Sequence, residues 1–311
     1  KFSGFQKEDF ETYAPEKWSS NLYNLQRMET KQKMAALGAQ ISTQLAETGL
    51  SLEQGLTPER PSVWNQNRVR SQWLYFTRNQ SEQRNLDTIL DRQKQISATI
   101  DDPAHHHKHI VLGVRLDHHG LTILCGIHQN AWLDWRNATN KCAVPEARSQ
   151  LLSHLNTLEK GLYCWSFGTE KTPLSALAEE DLARCFSADL DGENAWFAVE
   201  HALPSTENAL MEESIGPLIS ERLLSLDPIY RFFAWSKTND HLSFSEVLEE
   251  HQIKRKKLHS SPFVEGEKVE LTGGLFAGKT GEVTGYEQSG MVNVKMGGLV
   301  LPISPKSLKK L

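Results

Sequence analysis

The stretch Gly273-Gly274-Leu275-Phe276-Ala277-Gly278-Lys279-Thr280 decides how the C-terminal part of this chain is read. Its spacing satisfies G-x-x-x-x-G-K-[ST], the pattern of a phosphate-binding loop, which also needs a strand before it and a helix after it. The residues that follow, Gly281-Glu282-Val283-Thr284-Gly285-Tyr286, make a poor helix start and a good turn into a strand. Only 31 residues remain after Thr280, too few for a nucleotide-binding sheet with its helices. Working outward, Lys268-Val269-Glu270-Leu271, Glu282-Val283-Thr284 and Met291-Val292-Asn293-Val294-Lys295 alternate polar and apolar residues, and Leu299-Val300-Leu301-Pro302-Ile303 offers one more short strand. Glycine-rich turns separate them, which predicts a small all-β meander of four or five strands.

Residues 266–308 resemble the KOW module of NusG-type transcription elongation factors and of some large-subunit ribosomal proteins. The likeness rests on the opening Gly266-Glu267-Lys268-Val269, the loop Gly274-Leu275-Phe276-Ala277-Gly278-Lys279, Gly281 followed by Val283, and the return strand Val292-Asn293-Val294. The resemblance implies an SH3-like barrel that docks on RNA, ribonucleoprotein or the transcription machinery and carries no catalytic residues or cofactor. It assigns partner contacts to Lys268, Phe276, Lys279 and Lys295, joined by the basic run Lys254-Arg255-Lys256-Lys257, and structural roles to Gly274, Gly278 and Gly281. A barrel used only for protein docking remains the alternative.

Charge divides the chain in the same place. Residues 254–311 hold ten Lys or Arg against five Asp or Glu, whereas residues 1–253 hold 24 against 34. A basic tail on an acidic body puts any nucleic-acid contact at the C-terminal end and leaves the body for another protein, although a short basic run is also what a solvated linker looks like. The domain reading is therefore an α+β domain over 1–242, a helical, basic linker over 243–262 and a KOW-like barrel over 263–311. No run of about 18 apolar residues suggests a membrane span, and the start of the chain lacks the apolar core of a secretory signal. The four cysteines form no C-x-x-C pair, so reduced thiols in a cytoplasmic protein are expected.

In the N-terminal part, Leu25, Met28, Met34, Leu37, Ile41 and Leu45 recur at helical spacing and predict an amphipathic helix over 23–48, stopped by Gly49. A second helix is expected over 86–98, a strand ending at Arg78, and a hairpin of 109–116 with 120–128 about the turn Asp117-His118-His119-Gly120. Further helices are expected over 131–140, 146–160 and 206–226, the last kinked or split at Gly216-Pro217, with strands at 163–167 and 195–201. In outline the first 135 residues or so resemble the uncharacterised YktB-like family, a likeness that implies no function.

Two constellations carry possible chemistry. Histidines cluster at His105-His106-His107-Lys108-His109, at His118-His119 and at His128. Strand alternation groups His107, His109 and His128 as the one compact candidate metal set, with Asp117 or Asp134 as a possible oxygen donor and solvated loop histidines as the plain alternative. The segment from Trp64 to Arg78 interleaves Arg68, Arg70 and Arg78 with Trp73, Tyr75 and Phe76. That pattern fits single-stranded nucleic acid, or a half-buried strand with aromatics in the core and surface arginines. No catalytic motif such as G-x-S-x-G or H-E-x-x-H is present. The function expected is a non-enzymatic accessory protein. An enzyme acting on nucleic acid or nucleotides at the histidine hairpin, or a pure protein-interaction subunit, are the alternatives.

Overall fold

The computed structural model describes residues 2–61, 68–79, 81–83, 86, 105–188, 190, 195–245, 263–274, 276–287 and 291–311. The chain forms two compact units, Lys1–Leu242 and Ser243–Leu311. Both are built on antiparallel sheets, and the whole is of mixed α+β class.

In the first unit the strands are β1 (Leu52–Leu56), β2 (Ser71–Arg78), β3 (Val111–Asp117), β4 (Gly120–His128), β5 (Cys164–Phe167), β6 (Glu170–Pro173) and β7 (Trp196–Pro204). They form one sheet in the order β1-β2-β3-β4-β7-β5-β6. The expected hairpin closes where its turn residues put it, with Asp117 opposite Gly120 and the Asp117 carboxylate accepting the His119 N–H. β4 is the central strand, and all nine of its residues are buried. Alternation sends Leu74, Phe76, Leu112, Val114, Ile123, Cys125, Phe197 and Val199 into the main core. There they meet helices α2 (Asn24–Glu47), α6 (Ile215–Leu224) and α7 (Asp227–Phe233). Each fully buried Leu, Ile, Val or Phe side chain among them contributes roughly 1.5–3 kcal/mol. The remaining helices are α1 (Lys7–Glu11), α3 (Trp132–Lys141), α4 (Pro145–Leu155) and α5 (Glu179–Ser187).

Several expectations need correction. The buried face of α2 is Arg27, Thr30, Met34, Leu37, Gly38, Ile41 and Leu45, whereas Leu25 and Met28 are 60% and 38% exposed. The apolar positions drift around the helix, which carries the first turns of the stripe out to solvent. Gly216-Pro217 does not kink a long helix; the segment is split, as the other expected outcome had it, into a 3₁₀ turn Asn208–Met211 and α6, whose first turn holds Gly216-Pro217, where proline lacks no needed hydrogen bond. Arg78 is not a surface cation but is 5% exposed. The strands β1 and β6 and the helices α1 and α5 were not foreseen, being short or weakly patterned. The helix expected over 86–98 lies outside the described residues apart from Leu86, which is buried.

The second unit contains β8 (Lys268–Leu271), β9 (Thr280–Tyr286), β10 (Val292–Met296), β11 (Leu299–Ile303) and β12 (Leu308–Lys310). They form a five-stranded antiparallel sheet in the order β11-β10-β9-β8-β12. The expected closed barrel is not what the strand pairing gives: β11 and β12 are the two edges of the sheet, and no ladder joins them among the described residues. Because β9 begins at Thr280, a strand stands where a phosphate-binding loop requires a helix. Phe263, Val269, Leu271, Val283, Val292, Val294 and Leu308 form the core of this unit.

Candidate functional site

The second unit positions the residues assigned to partner contact. The loop from β8 to β9 turns on Gly274 and Gly278, with φ of +81° and +80°, values that a side chain would strain. Its base is tied by the Leu271 N–H donating to the Lys279 carbonyl at 2.9 Å and the Gly278 N–H donating to the Leu271 carbonyl at 2.7 Å. Gly281 has no such φ. It is a point of close approach, where a Cβ would lie 2.4 Å from Val294 Cγ1 and 2.9 Å from the Lys295 carbonyl oxygen. Phe276 in the loop is 40% exposed, and Lys279 is exposed beside it.

Lys268 and Lys295 lie elsewhere. Both stand opposite Glu282 in adjacent strand registers, so this row across the sheet alternates in charge. The structure thus brings Phe276 and Lys279 together in one loop and places Lys268 and Lys295 on the strands beside a carboxylate. Lys254, Arg255, Lys256 and Lys257 lie outside the described residues. Sequence reading missed Lys306, whose turn Pro305–Ser307 abuts the loop: the Thr272 N–H donates to the Ser307 carbonyl at 2.8 Å. The signal lay in Ser304-Pro305-Lys306-Ser307, turn-forming residues whose spatial neighbour the sequence does not name.

The histidines of the first unit follow a different geometry. His105–His107 form a 3₁₀ turn, not a strand, so the alternation that grouped His107 with His109 does not apply. His107 stacks on His128 with ring centroids 4.0 Å apart and planes 12° apart, a face-to-face contact that aims neither ring's nitrogens at a shared ion. The Asn130 N–H donates to His128 Nδ1 at 3.1 Å, so that nitrogen already serves as an acceptor within the chain. His106 packs between Trp73 (4.8 Å) and Tyr75 (5.4 Å), and Trp73 stacks on Trp196 at 5.3 Å. The imidazoles serve here as rings in an aromatic cluster on the sheet face opposite the main core. Trp73 and Tyr75 pack in that cluster with Val111 and Leu124, while Phe76 points into the main core.

His109 is turned instead toward a buried ionic centre. Asp134 of α3 accepts two hydrogen bonds from the Arg78 guanidinium, one of them at 2.7 Å from Nη1 to Oδ2. It also accepts the backbone N–H groups of Ile110 and Trp235, each at 2.9 Å. Burial alone would raise the Asp134 pKa, but Arg78 overrides it and holds the carboxyl below its ordinary value. The same carboxylate keeps Arg78 charged against burial. Burial, reinforced by Arg78, pushes His109 down to about 3, so the ring is neutral at ordinary pH. Asp134 therefore has no oxygen to spare for a metal, and Asp117 is paired with Arg115. Among the described residues no group of three or more His, Cys, Asp or Glu side chains is arranged to hold a metal ion. The expected set of His107, His109 and His128 is divided between the ring stack and the ionic centre.

No protein-family model matches the chain, and no curated protein matches it in sequence. Among the described residues no helix is long and apolar enough to cross a membrane.

Proposed function

We propose that this chain is a non-enzymatic accessory protein whose C-terminal unit, an SH3-like module of the KOW type, docks on RNA or a ribonucleoprotein, including that of the transcription machinery. The observation that carries the reading is the strand order β11-β10-β9-β8-β12: the last strand returns to pair with the first, leaving the β8–β9 loop exposed with an aromatic and a lysine on it. In keeping with it, Gly281, the glycine on which the KOW resemblance turns, sits where no Cβ fits. An exposed aromatic beside a cation supplies a stacking face and a phosphate donor together. The proposal includes a cytoplasmic setting, in keeping with four cysteines none of which is bonded to another.

A second reading, docking on protein, is favoured by the edge strand β11. There Leu299 and Val300 are 62% and 51% exposed, and one side of the strand has no ladder partner among the described residues. Affinity capture from lysate with and without nuclease separates the two. Partners lost on nuclease treatment, together with direct binding of a single-stranded RNA oligonucleotide that weakens with salt, are expected. Partners retained after nuclease, with no RNA affinity at about 50 mM salt where phosphate contacts are strongest, would establish the protein-docking reading instead.

A further inference from the structure

We infer that one end of the C-terminal sheet, formed by the β8–β9 loop and the Pro305–Ser307 turn, is the surface that takes single-stranded RNA, with Lys279 and Lys306 on phosphates and Phe276 under a base. The inference rests on the reading of this unit as an RNA-docking module and says where on it the RNA lies.

Residues 263–311 carry six lysines against five glutamates, so the folded sheet is close to neutral and only a local excess can attract a polyanion. Lys310 is bound to Glu267 at 2.8 Å, an interaction that also holds that carboxyl below its usual range. Lys268 and Lys295 share a row with Glu282, and Lys309 stands opposite Glu270. By contrast, no Asp or Glu occurs in residues 271–281 or 299–311, the two segments that meet at this end. Among the described residues no carboxylate lies within ion-pair distance of Lys279 or Lys306, and both are exposed. Their backbones are fixed near one another. Leu271 bonds the Lys279 carbonyl, the neighbouring Thr272 bonds the Ser307 carbonyl, and Gly273 faces Ser307 with room for only an ordinary contact of 3.6 Å.

An exposed phenylalanine on a glycine-hinged loop adds what lysines lack, a flat face for an unstacked base. Duplex RNA hides its base faces, so this combination selects single strands. Two lysines and one ring predict weak, sequence-tolerant binding in which phosphate contacts set the salt dependence and the ring sets the affinity that survives high salt.

The test titrates a fluorescently labelled single-stranded RNA oligonucleotide of mixed sequence with the 311-residue chain. Lys279→Glu with Lys306→Glu is expected to weaken binding at least tenfold at about 50 mM salt and to flatten the slope of log affinity against log salt by about 1–2. Lys7→Glu with Lys160→Glu, an equal change of net charge on the first unit, is expected to change affinity less than twofold. Phe276→Ala should leave the slope unchanged while lowering affinity at high salt. Thermal unfolding checks that each variant is folded, and Lys279→Gln with Lys306→Gln, a milder change, should give the same ordering. Binding that survives both pairs of substitutions, or that is lost more through Lys268→Glu with Lys295→Glu, would overturn this placement while leaving the RNA reading intact. A wild-type chain that binds no RNA at any salt overturns both.

Discussion

Asp134 receives four hydrogen bonds from three separate segments of the chain, so its carboxylate ties together the polar end of the first unit. A buried ion pair adds little net stability compared with an apolar pair of the same shape, but removing one partner strands the other. Asp134→Ala would leave the Arg78 cation and two backbone N–H groups buried without their acceptor. Urea unfolding of the first unit should show a loss of about 3–5 kcal/mol. An Arg78→Met, Asp134→Leu double variant should lose less than Asp134→Ala alone, a coupling that a double-mutant cycle measures directly.

His109 makes the same centre sensitive to acid. The folded ring takes a proton only near pH 3, whereas in the unfolded chain it does so near 6.5. Between those values the unfolded state binds more protons, so the group's contribution is complete above about pH 6.5 and is lost as pH falls toward 3. Between pH 7 and 4.5 the loss is about 2–3 kcal/mol. His109→Phe should therefore show a shallower fall in stability over that window, and an unchanged slope would mean that other groups set the acid limit.

At the scale of elements, periodicity located the longer helices and strands, missed short ones such as β1, β6 and α5, and placed faces less well. In α2 the residues Leu37, Ile41 and Leu45 reach the core, while Leu25 is exposed near the start. Leu37→Ala should cost about 2–5 kcal/mol by leaving a cavity, and Leu25→Gln should stay within about 0.5 kcal/mol. Chemical denaturation of the two variants compares them. In β9 the equivalent test is Gly281→Val. The added side chain meets Val294 and the backbone of Lys295, so it should destabilise the second unit by roughly 1–3 kcal/mol, since the backbone cannot move aside as a side-chain tip can. The histidine segment shows the limit of alternation: three residues in a 3₁₀ turn advance by about 120° each, so the faces deduced for a strand do not carry over.

For the whole molecule the division into two compact units predicts two unfolding transitions. Gly281→Val should lower the transition of the smaller unit and leave that of the larger one in place. A single transition that shifts as a whole would show that the units fold together. The charge division has its own consequence. Reversal of Lys254, Arg255, Lys256 and Lys257 should weaken RNA binding for all sequences alike if the run contacts phosphates, and leave it unchanged if the run only links the units; titrations at several salt concentrations tell these apart.

Local chemistry by itself determined the α+β class, the hairpin about Asp117–Gly120 and the C-terminal run of short strands, because alternation and turn residues act over a few neighbours. Only the tertiary structure decided which distant groups meet. Arg78 reads as a surface cation until a carboxylate 56 residues away comes to bury it. His107 and His109 read as partners until one stacks on His128 and the other turns to Arg78. Lys306 carries no signal until the last strand folds back beside the first and sets its turn against the Lys279 loop. Strand order and cross-strand register come from burying one shared core, a property of the assembled chain that no short window of sequence contains.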